Sequence, residues 1–456
     1  VPNIIGDAVL LRAFSCLEPF ASAVLAVSGG PDSMALMHLA RRWLRLKGGK
    51  PVSVTVVTVD HGLRPESKEE AAFVARHASE LGFSHAVIEW TGEKPKTGIQ
   101  AAARRARYDL LASYAFSSAA ACIATAHTED DQAETLLMRL RRGSGVDGLS
   151  AIAPISERNG VAIVRPLLGF SKGRLMAYLR ASSIPFLWDP SNDNAAFERV
   201  RLRHATKALA AAGITRSSLA MTAGRLGRSR EALVRVTEDF LDRHLQVTPL
   251  AQGKISGEAF QALPDDIALR ALGRILSLIG GAGEPPRLVR LEHLLENLKL
   301  RKRETTLGGC IMIAASGTLN FYRELGRLRV RPAPFEPGAK RVWDGRFILA
   351  FASIEDSSMT VRQLGADGWI SYKKTLKERG LPITAARLAA LTTPALWKGN
   401  RLKCAPLLNF SEPMGDAAAG PPAEAALVPN LARFLSGAPD EPRARLAKTH
   451  PYPIFE

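Results

Sequence analysis

The sequence predicts an α/β fold that opens with a parallel sheet and continues into a helical basic domain and a small α+β C-terminal domain. Three observations carry this expectation. Short apolar runs alternate with helical stretches up to about residue 190, polar clusters fall just after the apolar runs, and a glycine-rich turn joins the first run to the first helix. Strands separated by helices imply βαβ units and a parallel sheet covered on both faces. In such Rossmann-like sheets, ligands sit beyond the carboxyl ends of the strands.

The elements follow in order. AVLAV (23–27) is a strand-length apolar run, and MALMHLARRWLRL (34–46) has helical periodicity. VSVTVVTVD (52–60) is rich in β-branched residues, ESKEEAAFVARHASELG (66–82) is helical, and SHAVIEW (84–90) is a strand. A helix through 100–116 leads to the strand ACIATAH (121–127) and the helix DDQAETLLMRLRR (130–142). A first domain over 1–195 is followed by a mostly helical, basic region over 196–330, closed by a small hairpin within 307–324. The Pro/Gly-rich link RPAPFEPG introduces a third domain at 339–411 with β character, and 412–456 reads as a low-complexity, mobile tail.

Charge narrows the partner. The 61 Lys and Arg outweigh 44 Asp and Glu, giving +17, which argues for a polyanion; a general basic bias is the competing explanation. Cys16, Cys122, Cys310 and Cys404 lie far apart without CxxC spacing, which points away from disulfides and zinc and toward a reducing cytoplasm. Asp7, Arg12 and Glu18 interrupt any leader-like segment, and the uncharged run 110–126 is shorter than a membrane span. A soluble cytoplasmic protein is expected.

The turn SGGPDS (28–33) sets the chemistry. Backbone N–H groups at a glycine-rich turn that opens a helix cradle anions, and the helix dipole adds to the attraction. Gly29 and Gly30 allow close approach, Pro31 follows them, and Ser28 and Ser33 can donate hydroxyl bonds. Asp32 would repel a bare phosphate, so it either holds Mg²⁺ or caps the helix. Neither a Walker sequence nor GxGxxG is present.

Other candidates cluster after later strands. Asp60, His61 and Arg64 follow the second strand: an acid there often meets a ribose, and Arg64 could pair with a phosphate; a charged connection explains His61 and Arg64 equally well. In TAHTEDDQAET, Asp131, Glu134 and Thr135 share a helix face, with His127 just before it. A His beside carboxylates can move a proton or orient a reacting group, whereas acids in a first turn can simply satisfy the dipole. Among Arg104, Arg105 and Arg107, one is expected to face a nucleotide and the rest to be solvated. Arg142 opens RGSG, which is either a phosphate contact or a helix stop.

Taken together and in order, SGGPDS, VDHGLR, ARRARY, TAHTEDDQAET and RGSG resemble the PP-loop ATP pyrophosphatases. RPLL (165–168), WDPSND (188–193) and ERVRLRH (198–204) extend the resemblance to the bacterial tRNA(Ile)-lysidine synthetases within that superfamily. The resemblance implies a ligase using ATP and Mg²⁺. The wobble cytidine of a tRNA(Ile) with a CAU anticodon would attack the α-phosphate, pyrophosphate would leave, and free L-lysine would displace AMP to form lysidine. It implies that residues 28–33, with Asp60 and Arg64, bind ATP, and that Asp32 holds the metal. Arg107 would stabilise charge at the α-phosphate, His127 and Asp131 would act near the base and the amine, and Asp131 with Glu134 would bind lysine. Arg142, Arg199, Arg201 and Arg203 would meet RNA phosphates, and a homodimer is open to such a chain. Thiolation of a tRNA pyrimidine, small-molecule amidation and non-catalytic RNA binding are the competing expectations.

Overall fold

The computed structural model describes residues 5–49, 52–62, 67–92, 94–95, 97–188, 202, 206, 208–281, 285–300, 302–336, 338–351, 358–411 and 423–428. The chain divides into two compact units that meet in sequence between Glu231 and Ala232.

The first unit runs α1 (Asp7–Phe14), β1 (Ser22–Ala26), α2 (Pro31–Leu46), β2 (Ser53–Asp60), α3 (Ser67–Glu80), β3 (Ser84–Glu89), α4 (Ile99–Ser117) and β4 (Cys122–Ala124). It continues with α5 (Glu129–Arg141), α6 (Val146–Leu149), β5 (Ile155–Arg158), β6 (Val161–Val164) and α7 (Lys172–Ala181). The sheet order is β3-β2-β1-β4-β6-β5, all pairs parallel except β5–β6. Residues along β1 alternate between two cores, as the pleat requires. Leu25 belongs to the core that holds Leu10, Phe14, Met34 and Leu175, whereas Val24 belongs to the one that holds Leu111, Ala115 and Ile123. Both faces are therefore covered, which is why these strands read as continuous apolar runs. The order reverses at β1, whose two neighbours are β2 and β4, so a crevice opens beyond the ends of β1 and β4.

A long helix, α8 (Arg216–His244), crosses the unit boundary. The second unit adds β7 (Gln246–Val247), β8 (Gly253–Ser256), α9 (Gly257–Gln261), α10 (Asp265–Ile279), α11 (Leu288–Lys299), β9 (Glu304–Leu307), β10 (Cys310–Ala315) and β11 (Thr318–Arg323). After these come β12 (Ala333–Pro334), β13 (Lys340–Trp343), β14 (Phe347–Phe351), β15 (Met359–Gln363), α12 (Gly365–Glu378), α13 (Arg387–Ala390), β16 (Pro394–Lys398), β17 (Arg401–Ala405), β18 (Phe410–Ser411) and β19 (Ala423–Leu427).

Among the described residues the region 196–330 is mostly helical as expected, and β7, β8, β11, β10 and β9 add a five-stranded sheet of which the sequence showed only the hairpin. Two other expectations about organisation change here. The segment 339–411 is not a separate domain. One core holds Leu272, Ile275 and Phe321 together with Phe347, Leu349 and Leu396. Of the tail expected to be mobile, 412–456, only 423–428 lie within the described residues; there Ala423–Leu427 pairs as a strand with Phe347–Phe351 and buries Ala423 and Leu427 in that same core. No described helix is long and apolar enough to cross a membrane.

Candidate active site

The crevice is built from helix N-termini. After β1 the chain turns through Gly29, at φ +84°, a region that favours glycine. Gly30 is the N-cap of α2 and Pro31 occupies its first turn, where a missing N–H costs nothing. The turn is knit by its serines. Ser28 N donates to Ser33 Oγ (3.1 Å), and Ser33 Oγ donates to Gly30 O (2.9 Å). Leu187 N closes over it by donating to Gly29 O at 2.9 Å. A side chain on Gly29 would meet Leu187 Cδ1 at 2.9 Å. The loop is therefore pinned in an open, backbone-presenting form.

Thr128 caps α5, with its hydroxyl and its backbone N donating to Asp131 Oδ2 at 2.7 and 2.9 Å. Glu129 N donates to Phe170 O (3.0 Å) and Lys172 N to Asp130 Oδ2 (2.8 Å), which ties the start of α5 to the start of α7. Arg216 holds the other oxygen of Asp130 at 3.1 Å. Lys172 Nζ then lies 3.6 Å from Asp32 Oδ2 and 3.6 Å from Asp131 Oδ1. Three helix N-termini thus meet around one ammonium, and their dipoles all favour an anion there.

The two carboxylates respond differently to the shared cation. Burial pushes Asp32 up to about 6; Lys172 opposes this, while Asp131 and Asp130 add to it. Its Oδ1 is buried and accepts no hydrogen bond among the described residues. Burial also works against Asp131, but Lys172, His127 and the two bonds from Thr128 outweigh it and hold the carboxyl at about 2. His127 is oriented by Thr125, with Oγ1 and Nδ1 2.9 Å apart. Glu134 is buried one turn along α5.

A second group sits at the end of β2. Asp60 Oδ1 accepts from Gly62 N at 2.7 Å. Burial raises this carboxyl, but that bond and one from Ser67 hold it below the ordinary range. Arg107 donates from Nε and Nη2 to His61 Nε2 at 3.3 and 3.2 Å. Burial first and Arg107 second push His61 down to about 4, so it is neutral and accepts.

The structure therefore brings Asp32, His127 and Asp131 into one cluster and sets Arg107 beside the Asp60 turn. Arg142 is exposed after α5, where Gly143, at φ +65°, stops the helix. Arg64, Arg199, Arg201 and Arg203 lie outside the described residues. Sequence reasoning missed Lys172. A cation at the first position of a helix opposes the macrodipole, and that anomaly in SKGRL was the available signal.

A family model described as a PP-loop domain matches residues 10–209. The chain is 41% identical over 403 residues to the tRNA(Ile)-lysidine synthase of Ruegeria pomeroyi, spanning 88% of this chain and 92% of that protein. It is 48% identical over 342 residues to the enzyme of that name from Bradyrhizobium sp., spanning 71% and 93%. To the enzyme of the same name from Rhodopseudomonas palustris it is 44% identical over 346 residues, spanning 72% and 96%.

Proposed function

The chain belongs to the tRNA(Ile)-lysidine synthase family, and from that premise we propose that the cluster around Lys172 joins lysine to C2 of the wobble cytidine of a tRNA(Ile) with a CAU anticodon. ATP is consumed, and AMP and pyrophosphate are released. The observation that carries this reading is the single ammonium shared by Asp32 and Asp131 at three converging helix N-termini.

In the first step the cytidine O2 attacks the α-phosphorus, and the bond to the β-phosphate oxygen breaks. The backbone amides of 28–33 hold the departing pyrophosphate, and Lys172 and Arg107 balance charge developing on the phosphates. Lys172 does what a Walker lysine does elsewhere, reached from a different helix. In the second step the amine of lysine attacks C2. The C2–O2 bond breaks, AMP leaves with that oxygen, and His127 takes the amine proton. Asp131, charged at neutral pH, and Glu134 hold the ammonium group of lysine that does not react.

The donor set suits Mg²⁺. Asp32 offers a buried oxygen with no hydrogen bond among the described residues, and one or two carboxylates plus phosphate oxygens are the usual ligands of this ion. Asp32 would hold it together with phosphate oxygens, and when bound it would neutralise phosphate charge. The exposed arginines Arg142, Arg225 and Arg228 are the RNA-backbone contacts in this reading. A cytoplasmic location follows from the substrate.

Thiolation is not favoured. Burial pushes the thiols of Cys122, Cys310 and Cys404 up to about 12, far from a reactive thiolate. Incubation with ATP, labelled lysine and transcribed tRNA tests the proposal. Lysine should appear in a modified cytidine only when ATP is present, and label absent from the nucleoside digest would reject it.

A further inference from the structure

The first unit carries a second cavity, of about 520 Å³, walled by α2, α3 and the end of α7. None of its lining residues belongs to the reaction cluster. His38, Arg41 and Arg45 come from α2, where spacings of three and four residues place them on one face. His77 comes from α3, and Tyr178 and Ser182 from α7 and its cap. Arg42, on the same wall, is already engaged by Ile5 O at 2.8 Å and by Asp7.

The wall is electrostatically lopsided. With Arg42 matched by Asp7, Arg41 and Arg45 face one acid, Glu80, whose Oε2 is 3.5 Å from His77 Nδ1 and forms an ion pair with that ring only when it is protonated. His38 Nε2, Arg41 Nε and both ring nitrogens of His77 are buried without a hydrogen-bond partner among the described residues. Arg41 Nε–H and at least one N–H of the His77 ring are thus buried donors without an acceptor, which is costly, and an acceptor-rich anion is the ligand that offsets that cost.

We propose that this cavity binds a small phosphate-bearing anion, gripped by Arg41 and Arg45 and hydrogen-bonded by the imidazoles of His38 and His77. Arginine forks match phosphate oxygens in geometry as well as charge. The side chain of His77 is only 12% exposed, so the recess suits a free anion rather than a phosphate tethered in an RNA backbone.

Inorganic phosphate titrated into the full chain carrying isotope-labelled histidine tests the site, with sodium chloride matched for ionic strength. The His38 and His77 signals are identified by their loss in His38→Asn and His77→Asn. Both should move along a saturating curve, and combining Arg41→Ala with Arg45→Ala should weaken binding by about tenfold or more. The His127 signal should still respond to ATP in that double variant, showing an intact fold. No movement beyond the chloride control, or movement that survives the double substitution, overturns the site. Equal movement on adding tRNA without phosphate assigns the cavity to an RNA backbone and overturns the free-anion assignment.

Discussion

Lys172 Nζ stands 3.6 Å from Asp131 Oδ1, so the first residue of α7 meets the third residue of α5, and the same ammonium is 3.6 Å from Asp32 Oδ2. Lys172 is therefore positioned to move between carboxylate and phosphate partners as the nucleotide enters. Replacing Lys172 with Ala should lower tRNA-dependent exchange of pyrophosphate into ATP by about 10²–10³, the usual loss for a preorganised charge-stabilising group. Lys172→Arg should recover part of it. Exchange at the wild-type rate in the Ala variant would reduce Lys172 to an ion-pair partner without a chemical role.

Asp32 gives a pH-dependent prediction with a definite sign. Its folded-state value of about 6 lies above the ordinary 3.8, so the folded chain binds this proton more tightly than the unfolded chain. The resulting stability is fully present below pH 3.8 and lost as pH rises through 6. At neutral pH the charged Asp32 costs the fold up to about 3 kcal/mol. Asp32→Asn should therefore melt higher than wild type at pH 7.5, with the gap closing toward pH 4, while ligation is lost. A gap independent of pH would contradict this account.

How much of this was legible depended on how local each signal was. SGGPDS could be read because turn, cap and anion cradle lie within six residues. The capping pair Thr128 and Asp131 is just as local, yet in the sequence Asp131 was read only as part of an acidic face. Lys172 is not local to its partners, because only the pairing of β4 with β6 brings the start of α7 beside α5. In the second unit, the β10–β11 hairpin was visible through its six-residue strands and the turn at Ser316 and Gly317. The four-residue strands GKIS and ETTL carry too little pattern to stand out among strong helices. AEAAL is poor in β-formers; β14 supplies its backbone partners and the core takes its ends.

Gly29→Ala should damage both fold and binding. The residue sits at φ +84°, where a side chain costs about 1–2 kcal/mol, and its new methyl would meet Leu187 Cδ1 at 2.9 Å. Leu187 must then yield, and with it the bond from Leu187 N to Gly29 O that closes the loop. Thermal melting should drop and the KM for ATP should rise. An unchanged KM would show that the loop amides do not touch the nucleotide.

Removing basic residues from α8 should change the salt response of RNA binding rather than the chemistry. Arg225 and Arg228 are exposed, and each phosphate contact contributes about one to the slope of log affinity against log salt. Combining Arg225→Ala with Arg228→Ala should flatten that slope by about two and weaken binding to all tRNAs alike. A slope equal to that of wild type would move the RNA footprint elsewhere.

The second unit holds a charge network whose removal should be felt as stability. Asp344 accepts from Arg323 Nε and Nη2 at 2.8 and 3.1 Å and from Arg346 Nε at 2.9 Å, and all three side chains are at most 5% exposed. Burial pushes Arg346 down to about 10, against the pull of Asp344. Asp344→Asn tests the charge alone, because Asn tolerates the left-handed backbone found there, φ +48°, as well as Asp does. Two buried guanidiniums would then lack a counter-charge, a loss of about 3–5 kcal/mol. Denaturant unfolding should show the midpoint falling with the slope unchanged. A loss below about 1 kcal/mol would mean that the carbonyls of Gly309, Arg327 and Thr392, which these arginines also reach, satisfy them without the carboxylate.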